Sequence, residues 1–585
     1  MQYLNQRMSG LAGLWRADGQ PAAREELEGM LSAMPHRAAS GWQTYVDGPF
    51  ALAATTLQGT PETRNACAFA GRLDNAASLR NQLGLEAGAG DGALVLAAVE
   101  RWRDEAHSRL LGDFAYAAWE ARNARLVCAR DTAGLRPFYY AWDGRVFRFA
   151  SEMGALLAGG HVSRAPNEGM AGEYLACAIT QLEETLYQAI RRLPPGHALT
   201  LEDGRLHIGR YWRPEPNAIL REKEDQEYQR LFLETFREAV RCRLSSDAPV
   251  GLDLSGGLDS SAVVCMAGVL AKEGRLPCPG LEAFSLVFPG QPCDESSYIA
   301  SVVQAWPLKH HAKEPELPDA AKCLEFARRF ADFPGHPNGL MFVPLLREAA
   351  ARDVRITVSG IGGDDWWQGA GLSSLRPLLR TLVPSSMRRA LRRARGLPGL
   401  PPWIQPDFAK RIHLRDRLEA LPPAPAGADP CWARVYQTGL SGWKVHALEC
   451  EERQSAAFGL DLCCPFEDRR LVELALAFPE AQRRRGGQTK YVLREALRGV
   501  LPEQVRLRRD KAVFTAPVTR TILAPAMREL LAGTNLRQRG WVLDAEVQAQ
   551  IRQLEDLGEQ GAARFKLRWP LWMALGLESW LSASF

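Results

Sequence analysis

The spacing of hydrophobic and polar positions divides the chain into two parts. From Met8 to about Trp212, short apolar runs alternate with turn signals, as in RLVCAR, FYYAWDGRVFRFA and HALTLEDGRLHIGRYW. Runs of this length predict a mostly antiparallel sheet with a few helices. A polar stretch, PEPNAILREKEDQEYQ, follows and leads into the helix pattern LFLETFREAVRCRL. We therefore place a domain boundary near residue 215.

Beyond this boundary, apolar strands alternate with loops and helices. PVGLDL precedes SAVVCMAGVLAK, LEAFSLVF precedes DESSYIASVVQA, and VRITVSG precedes a loop rich in Gly and Asp. Strands that alternate with helices in this way are typical of a parallel sheet wrapped by helices. We therefore expect an α+β domain followed by an α/β domain.

The composition is that of a folded protein. The chain has 585 residues, of which 46% are hydrophobic and 24% are charged, and its formal net charge is +4. This excludes a disordered chain, a collagen-like repeat and a protein that coats polyanions. No stretch reaches the roughly 18 apolar residues of a membrane span, and MQYLNQRMSG shows no secretion signal. The 12 cysteines lack metal-ligand spacing. We expect a cytoplasmic protein with reduced thiols and no structural zinc site.

A basic, Pro-rich segment interrupts the second domain at about residues 375–430. Its charged residues include Arg376, Arg380, Arg388, Arg389, Arg392, Arg393, Arg395, Lys410, Arg411, Arg415 and Arg417, against Asp407 and Asp416. One interpretation is a solvated helical insertion. The other is a surface for a peptide or a second protein, because clustered arginines suit carboxylate-bearing partners. Nothing else in the sequence favours a nucleic acid.

The first candidate site is a loop between an apolar strand and an apolar helix. It reads Ser255, Gly256, Gly257, Leu258, Asp259, Ser260 and Ser261. The glycines let the backbone approach a bound anion, the serine hydroxyls donate, and the helix points its N-terminal amides at the same place. The loop lacks the lysine of a GxxxxGK(S/T) loop and carries Asp259 instead, which is suited to holding Mg²⁺ against phosphate oxygens.

A second loop of the same character follows the strand VRITV. It reads Ser359, Gly360, Ile361, Gly362, Gly363, Asp364 and Asp365. Ligands of open α/β sheets bind at the carboxyl ends of parallel strands. Two unrelated Gly-rich turns would explain either loop alone but explain both together poorly. We therefore expect Asp259 and Asp364 to share one or two Mg²⁺ ions.

The first loop resembles the pyrophosphate loop of the ATP pyrophosphatases, and the chain as a whole is similar to asparagine synthetase-type amidotransferases. The blocks MSGLAGLW, FAGRLDN, GDGALVLAAVERW and LLGDFAYAAWEARNARLVCARDTAGLRPFYY resemble the glutaminase domain of that family. The blocks FSLVFPGQPCDESSY, SGIGGDD, CCPFEDRRLVELAL and LPEQVRLRRDKAVF resemble its synthetase domain. The resemblance implies an Ntn-type antiparallel sandwich over residues 8–212 and an ATP-pyrophosphatase domain with a parallel sheet over residues 216–585.

The resemblance also implies a two-step reaction. A carboxylate attacks the α-phosphate of ATP, pyrophosphate leaves, and an amine displaces AMP. The implied ligands of ATP and pyrophosphate are Ser255, Gly256, Gly257, Asp259, Ser260, Ser261, Ser359, Gly360 and Gly363. Lys490, in GQTKYVLR, matches the lysine that stabilises the transition state near the acyl group. The alternative for a lone lysine on an amphipathic helix is a solvated surface position.

The N-terminal domain departs from the family at its catalytic position. A working glutaminase of this kind needs a cysteine as the first residue of the mature chain. This chain has Ser9 there, with a free amine only if the chain starts at Met8 rather than Met1. A hydroxyl is also a far weaker nucleophile than a thiol near neutral pH. Ala70 replaces an asparagine of the glutamine pocket, although Asp91 is kept. We expect this domain to be catalytically silent.

A silent glutaminase changes the expected reaction, because the attacking amine must then arrive on a substrate. Family branches without the cysteine include the β-lactam-forming synthetases and the lasso-peptide cyclases, which close an amide ring within one molecule. Ring closure of this kind needs no free ammonia, since a held amine and acyl adenylate react at a very high effective concentration.

The second loop favours the lasso cyclases over the β-lactam-forming branch. Ile361 stands where β-lactam-forming members have a tyrosine and asparagine synthetases a glutamate. An isoleucine neither accepts a proton nor orients an amine. We expect the base elsewhere, in the cluster of Glu449, Glu451 and Glu452, or else a substrate that arrives partly deprotonated.

Further positions near the motifs bear on the substrate. Trp366 and Trp367, in GGDDWW, resemble the lasso cyclases and either form aromatic walls for a threaded peptide or pack in the core. Cys463 replaces an arginine and Val513 replaces a glycine of the family, and we expect both on the acceptor side of the site. The sequence offers no explanation for Asp253, an acid inside the strand PVGLDL.

Three hypotheses follow. The first is an ATP- and Mg²⁺-dependent macrolactam synthetase of the lasso type, which joins the N-terminal amine of a peptide to an Asp or Glu side chain of that peptide. Its expected partners are a precursor peptide, a leader protease and a leader-recognition protein. The second is a β-lactam or other small-molecule amide synthetase, or an ammonia-fed asparagine synthetase. The third, a nucleotide-binding scaffold, is disfavoured by Lys490 and the two loop aspartates.

Overall fold

The N-terminal part of the computed structural model contains two antiparallel sheets. The structure describes residues 9–38, 41–215, 220, 223–369, 400–420, 424–425, 428–557 and 565–585. The strands are β1 Leu11–Arg16, β2 Gln43–Asp47, β3 Phe50–Ala54, β4 Thr56–Thr60, β5 Asn65–Leu73, β6 Gly112–Glu120, β7 Arg125–Arg130, β8 Tyr139–Trp142, β9 Val146–Ala150, β10 Arg191–Arg192, β11 His197–Glu202 and β12 Arg205–Arg210. Their orders are β10-β8-β9-β1-β3-β2 and β12-β11-β7-β6-β5-β4.

The two sheets pack face to face through aromatic and aliphatic side chains. Phe50 and Phe149 of the first sheet share a buried core with Trp119 and Leu199 of the second. The rings of Phe50 and Trp119 stack with centroids 4.4 Å apart. Helices cover the outer faces: α1 Arg24–Ser32, α2 Ala76–Leu83, α3 Asp91–Trp102, α4 Ala106–Arg109, α5 Met153–Ala158 and α6 Glu168–Leu175. This layering confirms the predicted antiparallel sandwich.

The C-terminal part is built on a parallel sheet, as predicted. Its strands are β13 Val250–Asp253, β14 Leu281–Leu286, β15 Lys309–Lys313, β16 Ile356–Val358 and β17 Asp461–Cys463, in the order β15-β14-β13-β16-β17. The chain first forms β14 and β15 on one side of β13, and it later forms β16 and β17 on the other side. Leu252 of β13 lies opposite Val358 of β16, so their carboxyl ends are adjacent. Such a reversal of strand order is where open α/β sheets bind ligands.

Helices and one short hairpin surround this sheet. The helices before the basic segment are α7 Asp225–Arg243, α8 Leu258–Lys272, α9 Ser296–Ala305, α10 Ala320–Phe330, α11 Val343–Ala350 and α12 Gly363–Trp367. Those after it are α13 Pro406–Arg411, α14 Leu414–Glu419, α15 Pro430–Gly439, α16 Gly442–Ala457, α17 Arg469–Ala477, α18 Glu480–Arg483, α19 Tyr491–Ala496, α20 Glu503–Arg506, α21 Thr515–Leu523, α22 Pro525–Leu531, α23 Asn535–Gln538, α24 Asp544–Asp556 and α25 Phe565–Ser584. The hairpin strands are β18 Arg484–Arg485 and β19 Gln488–Thr489. Among the helices described, none combines the length and apolarity of a bilayer span.

Buried ion pairs connect the two parts. Helix α16 directs Glu449 at Arg130 (2.8 Å) and Arg192 (2.9 Å), and directs Glu452 at Arg37 (2.7 Å). Although burial opposes ionisation, Arg192 and Arg130 lower the pKa of Glu449 to about 2. Both glutamates are fully buried, so they cannot reach a substrate. The prediction that the Glu449, Glu451 and Glu452 cluster supplies the base is therefore wrong for its first and last members.

The basic segment was interpreted either as a solvated helical insertion or as a surface for a peptide or a second protein, and part of it lies among the described residues. Residues 370–399, which carry Arg376 to Arg395, lie outside the described residues. Arg411 pairs with Glu168 at 2.9 Å, and Arg417 pairs with Glu173 at 2.8 Å. These two arginines attach the segment to α6 of the N-terminal part. They are therefore anchors between domains and not open positions for a peptide.

We predict that Glu449→Ala destabilises the protein by about 3–5 kcal/mol, because it leaves two buried guanidinium groups without their carboxylate. Chemical denaturation followed by fluorescence measures the loss. The matched control is Glu234→Ala, which removes one end of an exposed pair with Arg230 and should change stability by less than about 1 kcal/mol. Equal effects of the two substitutions would contradict the role of this ion-pair cluster.

Candidate active site

A lysine between two carboxylates stands at the carboxyl edge of the parallel sheet. The Lys490 ammonium donates to Asp259 Oδ2 at 2.5 Å and to Asp364 Oδ1 at 2.6 Å. Although burial opposes its charge, these two carboxylates raise the pKa of Lys490. The three residues are separated by more than a hundred positions in sequence. The structure thus unites the three residues that the resemblance implied.

The backbone holds Lys490 in an uncommon conformation. Its φ of +56° lies in the left-handed region, which costs a non-glycine residue about 1 kcal/mol or more. Lys490 follows the β18–β19 hairpin directly and precedes α19, and only 5% of its surface is exposed. This position aims the side chain at the two aspartates and excludes the alternative of a solvated surface lysine.

The first loop is preorganised by its own serines. Ser255 and Ser260 hydroxyls lie 2.9 Å apart, and the Gly257 amide donates to Ser255 Oγ at 3.3 Å. The loop turns into α8 at Leu258, so its backbone and the helix N-terminus face the same space. Donors held in place in this way bind an anion without a reorganisation cost.

The second loop packs so closely on the first that glycine is required. A Cβ on Gly360 would lie 2.6 Å from the amide nitrogen of Ser260, and one on Gly363 would lie 2.4 Å from Cγ of Asp259. Any larger residue would push the loops apart. The two glycines therefore set the distance between Asp259 and Asp364.

The two loops line a cavity of about 380 Å³. Of the predicted ligands, it is lined by Ser255, Gly257, Asp259, Ser260, Ser359, Gly360, Asp364 and Lys490. One wall is apolar and consists of Phe284, Leu286, Phe288, Phe342 and Leu345. Gly256, Ser261 and Gly363 do not line it, and the side chain of Ser261 is fully buried. A polar end and an apolar wall match the phosphates and the base of a nucleotide.

Four cationic residues of the cavity were missed by the sequence interpretation: Arg494, Arg508, Arg509 and Lys511. Lys511 donates to Asp364 Oδ2 at 2.5 Å, Arg508 donates to the carbonyl of Gly256 at 3.2 Å, and Arg494 lines the wall. Arg508 and Lys511 belong to the quoted block LPEQVRLRRDKAVF. Both residues follow the short helix α20 in an irregular segment, so no periodicity indicates which residues of that segment face inward.

The aspartates fit a divalent cation. Asp259 Oδ1 is buried and has no hydrogen-bond partner among the described residues. Although burial opposes ionisation, Lys490 and Lys511 lower the pKa of Asp364 to about 2. Two carboxylates with a free oxygen, beside a nest of phosphate donors, are the ligand set that Mg²⁺ prefers. The predicted metal ligands, Asp259 and Asp364, are thus suitable.

One other group of described residues has the composition of a metal site. Ligand atoms of Asp332, His446 and Cys450 lie within 4.8 Å of one another in the core. Arg453 donates to Asp332 at 2.7 Å and lies 3.4 Å from the Cys450 sulfur. Burial raises the pKa of the Cys450 thiol to about 12. A guanidinium inside the group and a protonated thiol indicate a hydrogen-bonded core cluster.

A second chamber of about 380 Å³ adjoins the nucleotide cavity. The two share Asp253, Phe342, Leu345, Ser359 and Ile361 as a common wall. The remaining walls of the chamber are partly apolar and come mainly from α16, α11 and the loop before α11, with further residues from β16, α12, α15, the loop before α16 and β17. These residues are His336, Asn338, Leu346, Thr357, Asp365, Thr438, Ser441, Trp443, Lys444, Ala447, Leu448, Glu451, Ser455 and Leu462. We refer to this space as the second chamber.

Two carboxylates, those of Asp253 and Glu451, line the second chamber. Burial raises the pKa of Asp253 to about 7, opposed by a hydrogen bond from Ser359. Burial, with a smaller contribution from Asp253, raises the pKa of Glu451 to about 7. Glu451 is thus the member of the glutamate cluster that lines the second chamber. Asp253, which the sequence left unexplained, lines both cavities.

Four other positions that were expected to bear on the substrate lie either in the core or outside the two cavities. Trp366 and Trp367 are buried, with Trp366 Nε1 donating to Glu467 at 3.1 Å and Trp367 packed on Phe232. They belong to the core, which is the second of the two alternatives that the sequence left open, and they form no wall for a peptide. Cys463 is fully buried and Val513 is 55% exposed, and neither lines the two cavities, so their predicted acceptor-side position is wrong.

The N-terminal part retains the outline of a second site. The Gly71 amide donates to Ser9 Oγ at 2.8 Å, and the Leu73 amide donates to Asp91 at 2.9 Å. Ser9 thus lies two residues before β1 and beside Gly71 of β5. Its hydroxyl is occupied as an acceptor of a backbone hydrogen bond.

In comparisons with known proteins, separate family models match the N-terminal and the C-terminal parts of the chain. A family model described as asparagine synthase matches residues 231–582, and one described as a glutamine amidotransferase domain matches residues 8–212. Asparagine synthetase (glutamine-hydrolyzing) 3 of Bacillus subtilis is 26% identical over 469 residues, which cover 75% of this chain and 74% of that protein. Asparagine synthetase (glutamine-hydrolyzing) 1 of the same organism is 26% identical over 467 residues, or 73% and 71%. The amidase chyE of Penicillium rubens is 26% identical over 313 residues, or 50% and 45%.

We predict that Asp364→Asn lowers Mg²⁺-dependent pyrophosphate release about 100-fold or more, because it removes a carboxylate that fits the metal and also holds Lys490. A coupled pyrophosphate assay measures the rate. Asp353→Asn, on the exposed turn before β16, is the matched control and should leave the rate unchanged. Equal rates in wild type and Asp364→Asn would exclude this carboxylate from the site.

We predict that Glu451→Gln stabilises the protein at about pH 8 but not at about pH 4.5. The unfolded chain releases this proton near pH 4.5 and the folded chain near pH 7, so ionisation lowers the stability of the native state as the pH rises through that interval. The gain at high pH should be on the order of 1–3 kcal/mol. Thermal unfolding at both pH values measures it, with the exposed Glu62→Gln as control. A gain of equal size at both pH values would contradict a carboxyl of raised pKa.

Proposed function

Because the chain belongs to the asparagine synthase family and is an ATP-dependent amide-forming ligase, we propose that it closes a macrolactam ring within a peptide. An Asp or Glu side-chain carboxylate of the peptide is adenylated, and the N-terminal amine of the same peptide displaces AMP. The proposed partners are a precursor peptide, a leader protease that exposes its amine, and a leader-recognition protein.

The charge distribution of the second chamber supports a peptide amine as the nucleophile. Among the described residues that line it, Lys444 is the one permanent cation, and it lies 2.6 Å from Glu467 and 3.6 Å from Asp365. A free amino acid such as aspartate brings an α-carboxylate, which finds no unpaired cation there. A peptide terminus brings an amine and no such carboxylate, and the apolar walls suit its side chains.

The N-terminal part supports the same conclusion. Ser9 occupies the position where a glutaminase requires a thiolate. A hydroxyl that already accepts the Gly71 amide is a poor nucleophile for a glutamine amide. With no thiolate to release ammonia, the amine comes with the substrate.

The nucleotide cavity is suited to the first step. The carboxylate attacks the α-phosphorus, the bond to the bridging oxygen breaks, and pyrophosphate leaves with the electron pair. In this proposal, the donors of Ser255 and Ser260 stabilise the growing charge on pyrophosphate, and Lys490, which lines the same cavity, stabilises the forming acyl phosphate. Mg²⁺ bound by Asp259 and Asp364 would neutralise phosphate charge.

The second step gains from intramolecular attack. In this proposal the acyl adenylate lies in the nucleotide cavity and the amine in the second chamber, and the two spaces meet at Asp253, Ser359 and Ile361. Effective concentrations for groups held in this way reach about 10⁵ M or more, so no high amine concentration in solution is needed.

A small-molecule amide or β-lactam synthetase, or an ammonia-dependent asparagine synthetase, is the second candidate. The names of the Bacillus subtilis relatives favour asparagine synthesis. Ile361 in the common wall, which has no proton-accepting group, and the paired state of Lys444 disfavour it. A scaffold without turnover is less consistent with the Lys490, Asp259 and Asp364 arrangement.

Mass spectrometry tests the proposal directly. A candidate precursor peptide is incubated with the protein, its protease partner, ATP and Mg²⁺, and AMP and pyrophosphate are assayed in parallel. The proposal predicts a peptide that loses one water while AMP forms. AMP formation with aspartate or a small β-amino acid but with no peptide would support the second candidate instead, and no AMP with any acceptor would support the scaffold.

We predict that Ser9→Ala leaves ring closure unchanged, because the N-terminal part provides no ammonia. The rate of AMP formation with the peptide substrate measures this, and far-UV circular dichroism verifies the fold. A folded but inactive Ser9→Ala variant would contradict the proposed silence of this domain.

A further inference from the structure

We propose that the second chamber binds the primary amine that attacks the acyl adenylate, and that Glu451 and Asp253 take its protons. The inference rests on the proposed function only in requiring an amine nucleophile. It assigns a role to Asp253, an acid within an apolar strand, and to Glu451, the glutamate of α16 that forms no interdomain ion pair.

Helix geometry separates Glu451 from its neighbours. Successive helical residues are rotated by about 100°, so Glu449 and Glu452, three positions apart, share one face while Glu451 points elsewhere. The first two bind arginines of the N-terminal part. Glu451 lines the second chamber and forms no hydrogen bond or ion pair with any residue that the structure describes. Its carboxylate is therefore available to a ligand.

Asp253 supplies the second carboxylate at the boundary between the cavities. It ends β13, one residue before the loop that lines the nucleotide cavity, and it belongs to the walls of both spaces. From this boundary, we expect Asp253 to contact the amine while the amine attacks the acyl carbon. Glu451 lines only the second chamber and contacts the amine before that point.

The other ionisable groups that face Glu451 do not provide an alternative partner. They are Asp253 on β13, His336 before α11, Asp365 on α12 and Lys444 on α16. Burial lowers the pKa of His336 to about 4, so its ring is neutral at pH 7. Lys444 is held by Glu467. The chamber thus carries unbalanced negative charge, which a cationic ligand would compensate.

The walls favour an organic ammonium over a metal ion. Phe342, Leu345, Leu346 and Trp443 contribute hydrocarbon surface around the two carboxylates. A divalent cation prefers a shell of oxygen ligands, whereas a primary ammonium with a carbon chain uses both the charge and the apolar surface. The ligand class is therefore a primary amine on an apolar or peptide stem.

The proton balance explains why two carboxylates are needed. The ammonium nitrogen loses one proton to Glu451 and becomes a nucleophile. Its lone pair then forms the C–N bond to the acyl carbon, the C–O bond to AMP breaks, and AMP leaves with that electron pair. The nitrogen loses its second proton to Asp253 as the amide forms. A carboxylate whose pKa is raised toward neutrality is a stronger base for these steps.

Amine binding to the full-length protein tests the inference. Isothermal titration with n-butylammonium chloride at about pH 8 should show binding to the wild type, weakened about tenfold in Glu451→Gln and in Asp253→Asn. Binding should also weaken as the pH falls below about 7, where both carboxyls are protonated. n-Butanol, the neutral analogue, should bind at least about tenfold more weakly than the ammonium.

Controls make each outcome decisive. Glu451→Asp should retain part of the affinity, and ATP binding with far-UV circular dichroism identifies a variant that fails to fold. Equal affinity of wild type and Glu451→Gln, or displacement of the amine by MgCl₂ alone, would overturn the amine site. The titration uses no peptide, so its result is independent of the ring-closure assay, and ring closure without amine binding would overturn this inference alone.

Discussion

The contact on which the site depends is the ammonium of Lys490 held between Asp259 and Asp364. The two carboxylates come from loops at the ends of neighbouring parallel strands, and without a cation between them they would repel each other. The sheet order places those loops side by side, and Gly360 and Gly363 allow them to touch. The two loops that line the cavity are therefore arranged around this Asp259–Lys490–Asp364 contact.

The N-terminal part contributes to the site by holding α16 in place. Arginines from its strands and turns bind one face of that helix through Glu449 and Glu452. The helix is thereby fixed in rotation, and its other face, with Glu451, is presented to the second chamber. The N-terminal part thus acts as a framework for the site of the C-terminal part.

The sequence predicted the parts of the site that local pattern determines. Glycines and serines directly after apolar strands identified both loops, because the strand and the turn are local features. Lys490 was found only through the resemblance, since its approach to Asp259 spans more than two hundred residues. The direction of Glu451 and the burial of Trp366 and Trp367 depend on which helix face packs against which neighbour. Arg508 and Lys511 lie in an irregular segment that carries no periodic signal.

The central claim is that a substrate carboxylate attacks the α-phosphate of ATP. A peptide substrate with oxygen-18 in the reacting carboxylate tests it most directly, with AMP analysed by mass spectrometry after one turnover with Mg²⁺. The account predicts that one oxygen-18 atom appears in the phosphate of AMP as the amide forms. Unlabelled AMP, or ADP with labelled phosphate, would contradict it.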